Sequence, residues 1–157
     1  DLAGEAAGLG HLEGRTVWGR FGAGYIDGPY TVSGGKIATD YPAVSAKIGL
    51  WQAPNFESMP FVKVMQDNTI LQRPGRVHTV AVAMMDTESL AVGANGSAPK
   101  NVPLQRASDD LSAAPVPFTG SREISGIMGA VVGPTVRITQ LRPGRLRIRD
   151  YLVGVKL

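Results

Sequence analysis

Short stretches in which apolar and polar residues alternate recur along the chain, separated by glycine and proline. The clearest stretch is VHTVAVAMMD, from Val77 to Asp86, in which both alternating sets of residues are largely apolar. A period of two is typical of β-strands, and a strand that is apolar on both sides is typical of the centre of a sheet. We therefore expect a central strand, buried on both faces, at 77–86.

The stretch from His11 to Gly35 predicts a β-hairpin module. Residues that favour strands, such as Val17, Trp18 and Ile26, are punctuated there by glycines at turn spacing. Further strands are predicted wherever the same alternation returns. They lie at 46–52, 60–65, 122–127, 135–140 and 146–155.

The composition favours an all-β fold. The 157 residues include 20 glycines and 11 prolines, which are costly inside helices and suited to the turns between strands. We expect short antiparallel strands in a β-sandwich or barrel-like arrangement. There is no cysteine, which excludes disulfides and thiolate metal sites, and no apolar run of about 18 residues, so no membrane span is expected.

The predicted strands fall into two small lobes. The boundaries are 1–10 for a linker or amino-terminal arm, 11–65 for the first β lobe, 66–76 for a connector, and 77–157 for the second β lobe. The opening residues DLAGEAAGLG resemble the interior of a longer sequence, so we expect the chain to be a fragment.

The segment from Gly93 to Gly120 is predicted to be an arm. It contains four prolines and shows no periodicity, and an unstructured stretch of this length is uncommon inside a compact domain. Its few apolar residues are expected to pin it to a neighbouring subunit. They are Val102, Leu104, Leu111 and Phe118.

Positive charge is concentrated in the last quarter of the chain. Residues 121–157 hold seven Lys or Arg against two acidic residues, within a total net charge of +3. If Pro143-Gly144 joins the last two strands as a hairpin, three arginines form one cross-strand stripe and two flank the turn. The stripe is Arg137, Arg147 and Arg149, and the flanking residues are Arg142 and Arg145. Such a stripe suits an acidic surface of another subunit or, as the alternative, DNA.

Candidate catalytic chemistry is sparse. His11 and His78 are far apart and lack a metal-ligand spacing, and Asp109-Asp110 and Glu57 lie in predicted loops without an apolar pocket. No serine has the GxSxG setting of a nucleophile elbow, and no helix follows the glycine pairs to form a phosphate site. We expect no catalytic residue, no cofactor and no metal.

Four aromatic residues suggest a second kind of site. Trp18, Tyr25, Tyr30 and Trp51 could stack on a sugar, as flat rings do in carbohydrate-binding β domains, or could simply fill the core and its rim. Both interpretations stay open from the sequence.

An ordered series of short motifs covers nearly the whole chain from His11 onward. The motifs are HLEGRTV at 11–17, VSGGKI at 32–37, DYPA at 40–43, IGL at 48–50, VAMMDTESLAVG at 82–93, PFTG at 117–120 and VRITQ at 136–140. The series resembles the carboxyl-terminal region of nozzle proteins, the tail tubular protein B-like structural proteins of short-tailed bacteriophages. The sequence departs from the family's pattern at 87–89 and at 142–144.

The resemblance implies a β-rich, non-enzymatic virion protein that assembles as a ring around the channel through which DNA leaves. Its partners would be other copies of itself and neighbouring tail proteins, with passing contact to phage DNA. Its location would be the virion tail, and the host cytoplasm during assembly. The alternative function is a carbohydrate- or receptor-binding β domain of a phage tail.

Overall fold

The regular secondary structure consists almost entirely of strands, as expected. A computed structural model describes residues 4–22, 24–39, 45–70, 73–110 and 113–157. The described ranges hold one short 3-10 turn, Gly10–Leu12, and twelve strands. The strands are β1 Glu5–Ala7, β2 Thr16–Phe21, β3 Tyr25–Thr31, β4 Lys36–Ala38, β5 Ala46–Gly49, β6 Asn55–Glu57, β7 Arg76–Thr87, β8 Ala91–Ala94, β9 Lys100–Asn101, β10 Phe118–Ser125, β11 Val136–Thr139 and β12 Ile148–Lys156.

The chain forms two compact units with different bounds from those predicted. The first comprises the described parts of Asp1–Gln52 and Ala107–Pro115, and the second those of Ala53–Arg106 and Val116–Leu157. The predicted boundary after residue 65 lies too late, because β6 pairs with β11 of the second unit. The Phe61 N–H also donates to the Pro134 carbonyl at 2.9 Å, which ties this segment to the second unit.

The first unit contains a three-stranded sheet, β3-β2-β5, and a two-stranded sheet, β1-β4. The predicted hairpin is confirmed, since β2 and β3 pair antiparallel from Thr16 opposite Thr31 to Phe21 opposite Tyr25. A small core beneath these strands consists of Leu9, Val17, Val32 and Ile37, all buried.

The second unit is a β-sandwich. A three-stranded sheet, β10-β7-β12, and a four-stranded sheet, β6-β11-β8-β9, contribute side chains to one core. Inward-facing residues of two sheets interdigitate in this way because alternate strand positions point to the same side. The buried core residues are Val77, Val80, Val82, Met84, Leu90, Val92, Ala94, Phe118, Val136 and Ile138.

Strand β7 is the central strand of its sheet, as predicted, but it is buried on one face only. Val80, Val82 and Met84 are fully buried in the sandwich core. On the opposite face Ala81 is half-buried and Met85 is 45% exposed. The prediction of burial on both faces is wrong because the second sheet of the sandwich covers only the inner face.

Two other strand predictions are corrected. Residues 60–65 form no strand apart from an isolated bridge between Val64 and Ile70, while β6 lies inside a predicted loop. The last two strands do not form a hairpin, since β11 pairs with β6 and β8 whereas β12 pairs with β7. Residues 140–147 therefore cross from one sheet of the sandwich to the other.

The predicted arm packs on its own chain at both ends. Gly93 and Ala94 are buried in β8, and Phe118 is buried where β10 begins. Val102 and Leu104 are partly buried against the core of the second unit. Leu111 lies outside the described residues. Three of the four apolar residues that were expected to contact a neighbouring subunit, Val102, Leu104 and Phe118, therefore pack in or against the core of this chain.

Candidate interaction surfaces

The carboxyl-terminal arginines are partly neutralised by Asp86, at the end of β7. Arg145 Nη1 forms an ion pair with Asp86 Oδ2, and Arg147 Nη1 lies 3.3 Å from the same oxygen. The Asp86 N–H donates to Thr119 Oγ1 at 2.9 Å, which ties the Asp86 backbone to β10. Two of the five predicted contact arginines are therefore paired with a carboxylate of the same chain.

The segment 87–89 holds the loop 140–147 by further hydrogen bonds. Glu88 Oε2 accepts the Arg145 N–H at 2.9 Å, and the Glu88 N–H donates to the Arg145 carbonyl at 2.8 Å. Gln140 Nε2 donates to Ser89 Oγ at 2.8 Å and to the Gly144 carbonyl at 3.1 Å. Ser89 Oγ also donates to the Arg142 carbonyl at 2.9 Å, so the segments 87–89 and 142–144 are bonded to each other.

The predicted arginine stripe does not form. Arg137 lies on β11, where its Nε donates to Asn55 Oδ1. Arg149 lies on β12 in the other sheet, and Arg147 directly precedes that strand. Arg142 and Arg149 form no ion pair with any residue in the described ranges. The prediction is wrong because it required the missing hairpin, and the positive charge is instead spread over separate parts of the second unit.

The four aromatic residues are divided between the two faces of the β3-β2-β5 sheet. Tyr25 and Tyr30 are the cross-strand partners of buried residues on β2, so they share the buried side. Trp18 alternates with those residues and points to the other side, where its ring meets that of Trp51 edge to face at 5.6 Å. The structure therefore offers a pair of half-buried tryptophans rather than the predicted four-residue platform.

A groove of about 550 Å³ lies between β8–β9 and β10 in the second unit. Its lining is largely apolar, with Lys100 and Arg122 as its cations. The Arg122 guanidinium lies 4.6 Å from the centre of the Phe118 ring, and its Nη2 donates to the Gln105 carbonyl at 3.1 Å. Its Nε is buried and has no hydrogen-bond partner within the described residues.

Strand β12 is a surface that the sequence analysis missed. It is nine residues long and, among the residues that the structure describes, pairs only with β7, so it ends the three-stranded sheet. Its Leu152 side chain is 70% exposed. Alternation along 146–155 predicted the strand itself, but the free edge follows from sheet order, and no local pattern signals that order.

Local hydrogen bonds shift the pKa of two side chains among the described residues. The Glu5 carboxylate accepts a hydrogen bond from Lys36 and raises the pKa of that amine. Hydrogen bonds from the Thr69 hydroxyl and N–H lower the pKa of Asp67. Over the described ranges, no three His, Asp or Glu residues are grouped as a metal site requires, and no helix is long and apolar enough to cross a membrane.

Comparison of the chain with family models and with curated proteins finds no match.

Proposed function

We propose that this chain is a structural, non-enzymatic component of a bacteriophage tail, either a nozzle or tube ring subunit or an associated virion protein. It would act through contacts with other copies and with neighbouring tail proteins. The observation that carries the proposal is the long free edge of β12, because an unpaired edge with exposed apolar side chains is a template for contact with another chain. The motif series quoted above supplies the tail assignment.

Exposed apolar side chains elsewhere support a role in assembly. Several large ones are exposed to solvent, and burial of such side chains against another chain would be favourable. The most exposed are Met59, Met128, Leu152, Val116 and Leu50. They occur in both units, so both units can contribute to subunit contacts.

The pairing of Arg145 and Arg147 with Asp86 favours protein contact over DNA binding. A surface that binds DNA needs Lys or Arg side chains that can neutralise phosphates and release their bound counterions. Two of the seven cations in 121–157 already share a carboxylate of the same subunit. This reduces the net positive charge offered to a passing duplex.

Electron microscopy of the purified chain, with its mass measured by light scattering, tests the proposal. We expect defined oligomers or ring-like assemblies. Turnover of peptidoglycan or another glycan that a single carboxylate substitution abolishes would contradict the structural role.

The carbohydrate-binding alternative has its own test. Trp18 and Trp51 are the aromatic pair that could meet a sugar, although their edge-to-face packing leaves no shared flat surface. On a glycan array we expect no specific binding. Binding that Trp18→Ala or Trp51→Ala removes would favour the alternative.

A further inference from the structure

We propose that β12 pairs antiparallel with β12 of a second copy across a twofold axis at Val153. The two three-stranded sheets would then join in the order β10-β7-β12-β12-β7-β10. A twofold contact of this kind closes on itself and builds a dimer, whereas a ring needs a second, different surface. The inference therefore goes beyond the proposed tail function and does not depend on it.

The two edges of this sheet differ in how they are covered. At β10, Arg106 Nη2 donates to the Thr119 carbonyl at 3.1 Å, and Arg122 reaches back to the Gln105 carbonyl. Residues 104–106 therefore lie against that edge. Along β12 no other part of the described chain forms a strand pair on the side away from β7. The open edge of the sheet is thus β12.

The charges on β12 are complementary to themselves in one antiparallel register. With the axis at Val153, Asp150 lies opposite Lys156 of the second copy, and the same pair forms again on the other side of the axis. Neither side chain forms an ion pair with a residue that the structure describes. The two positions are about 20 Å apart along one strand, so they cannot pair within one copy.

Neighbouring registers lose this match. A twofold axis at Leu152 places Asp150 opposite Gly154, and an axis at Gly154 places Lys156 opposite Leu152, so neither charge meets an opposite charge. An axis between residues would set the core-facing side chains of one copy opposite the solvent-facing side chains of the other, which a pleated sheet disfavours. The axis at Val153 keeps both the faces and the charges in agreement.

The apolar side chains also match in this register. On the outer face the exposed Leu152 lies opposite Gly154 of the second copy. In each copy the His78 ring covers Gly154, with a ring atom 2.7 Å from the position that a Cβ would occupy. Leu152 of one copy would therefore pack on the His78 ring of the other. On the inner face Tyr151 lies opposite Val155, and both are already partly buried against the sandwich core. The paired edges would therefore extend the core from one copy to the next.

Sedimentation equilibrium of the intact chain with reversed charges tests the pairing. We expect a reversible dimer for the natural sequence. Asp150→Lys or Lys156→Asp alone places like charges opposite each other twice, and should raise the dimer Kd about tenfold or more. The double variant restores opposite charges and should return the Kd to within about threefold of the natural value. Rescue requires residues 150 and 156 to meet between copies.

Glu123→Lys is the matched control, because it makes the same charge reversal on the exposed side of the other edge strand, β10. It should leave the Kd unchanged. Circular dichroism establishes that each variant is folded, and if a single reversal unfolds the chain, Asp150→Asn with Lys156→Gln should still weaken the dimer. A natural chain that stays monomeric, single variants with an unchanged Kd, or a double variant that is not rescued would each overturn the pairing. None of these results would exclude a place in a tail, which is tested on the particle itself.

Discussion

The two units of the molecule are stabilised internally in different ways. In the second unit, two sheets face each other across a core of buried Val, Met and Leu side chains. The buried Asn95 side chain forms three hydrogen bonds there, all to backbone groups. In the first unit the core is small, and polar contacts at the surface fix the turns. The Glu13 carboxylate accepts the N–H groups of Gly34 and Gly35 at 2.9 and 2.8 Å.

The difference shows how much a second covering sheet contributes. A sheet of two or three strands buries little apolar surface alone, so its conformation depends more on turn chemistry and local polar bonds. In the sandwich, the inner faces of β7, β8 and β11 are covered by the opposite sheet, and burial provides most of the stabilisation. Substitutions should therefore be costly in the second core and mild in the polar contacts of the first unit.

The largest effect is expected from Met84→Ala in the sandwich core. Met84 is fully buried on the central strand, and removing a buried side chain of this size costs about 2–5 kcal/mol because a cavity remains. Hydrogen exchange followed by mass spectrometry should show lost protection in β7, β8, β10 and β11, with β2 and β3 unchanged. An equal loss of protection in both units would mean that they unfold together, and would contradict the proposed difference in what stabilises them.

Asn95→Ala should cost less, about 1–3 kcal/mol in free energy of unfolding. The Asn95 side chain accepts the Val77 N–H at 2.8 Å and donates to the carbonyls of Val77 and Met128 at 2.9 and 3.1 Å. Alanine leaves these groups unpaired and must also adopt a φ of +55°. Asn95→Gly is the control, because glycine accepts that φ and isolates the hydrogen-bond loss in a denaturant titration. A glycine variant as stable as the natural chain would show that the side-chain bonds contribute nothing.

Glu13→Ala should affect only the first unit, by about 0.5–1 kcal/mol, since the two hydrogen bonds it removes are exposed to solvent. Faster amide exchange at Gly34 and Gly35 would report the loss. Glu13→Gln keeps one acceptor oxygen and should have an intermediate effect. An unfolding free energy reduced as much as in Met84→Ala would contradict the view that surface contacts contribute modestly.

The smallest effect is expected at Asp67, in an exposed turn of the second unit. Hydrogen bonds from Thr69 hold the pKa of this carboxyl below its ordinary value of 3.8. Because the folded pKa is depressed, the stabilisation is complete above 3.8 and is lost as the pH falls through the folded value. The Thr69 amide resonance should therefore titrate with a midpoint below 3.8, whereas Asp67→Asn should remove that titration. A midpoint at or above 3.8 would contradict the contacts.

Local alternation predicted the strands better than it predicted their partners. Strand β7 follows directly from the period of two at 77–86, and the β2–β3 hairpin follows from glycines at turn spacing. Sheet order depends on contacts between distant segments, which is why β11 and β12 were assigned to one hairpin although they lie in different sheets. The arginine stripe failed for the same reason.

The buried polar residues were also beyond a local pattern. Asn95 lies in a proline-rich stretch without periodicity, yet it bonds to Val77, 18 residues earlier in the chain. Asp86 follows the strand pattern of β7, but it adopts a positive φ of 53°. Its arginine partners lie 59 and 61 positions later in the chain. Such roles depend on tertiary contacts between segments whose own sequences look like loops.

Cross-linking followed by mass spectrometry, on intact particles of the phage that would carry this protein, is the most direct test of the tail assignment. The account predicts cross-links from this chain to further copies of itself and to neighbouring tail proteins. Particles that lack the chain, or that contain it without a cross-link to any tail protein, would contradict the proposed function.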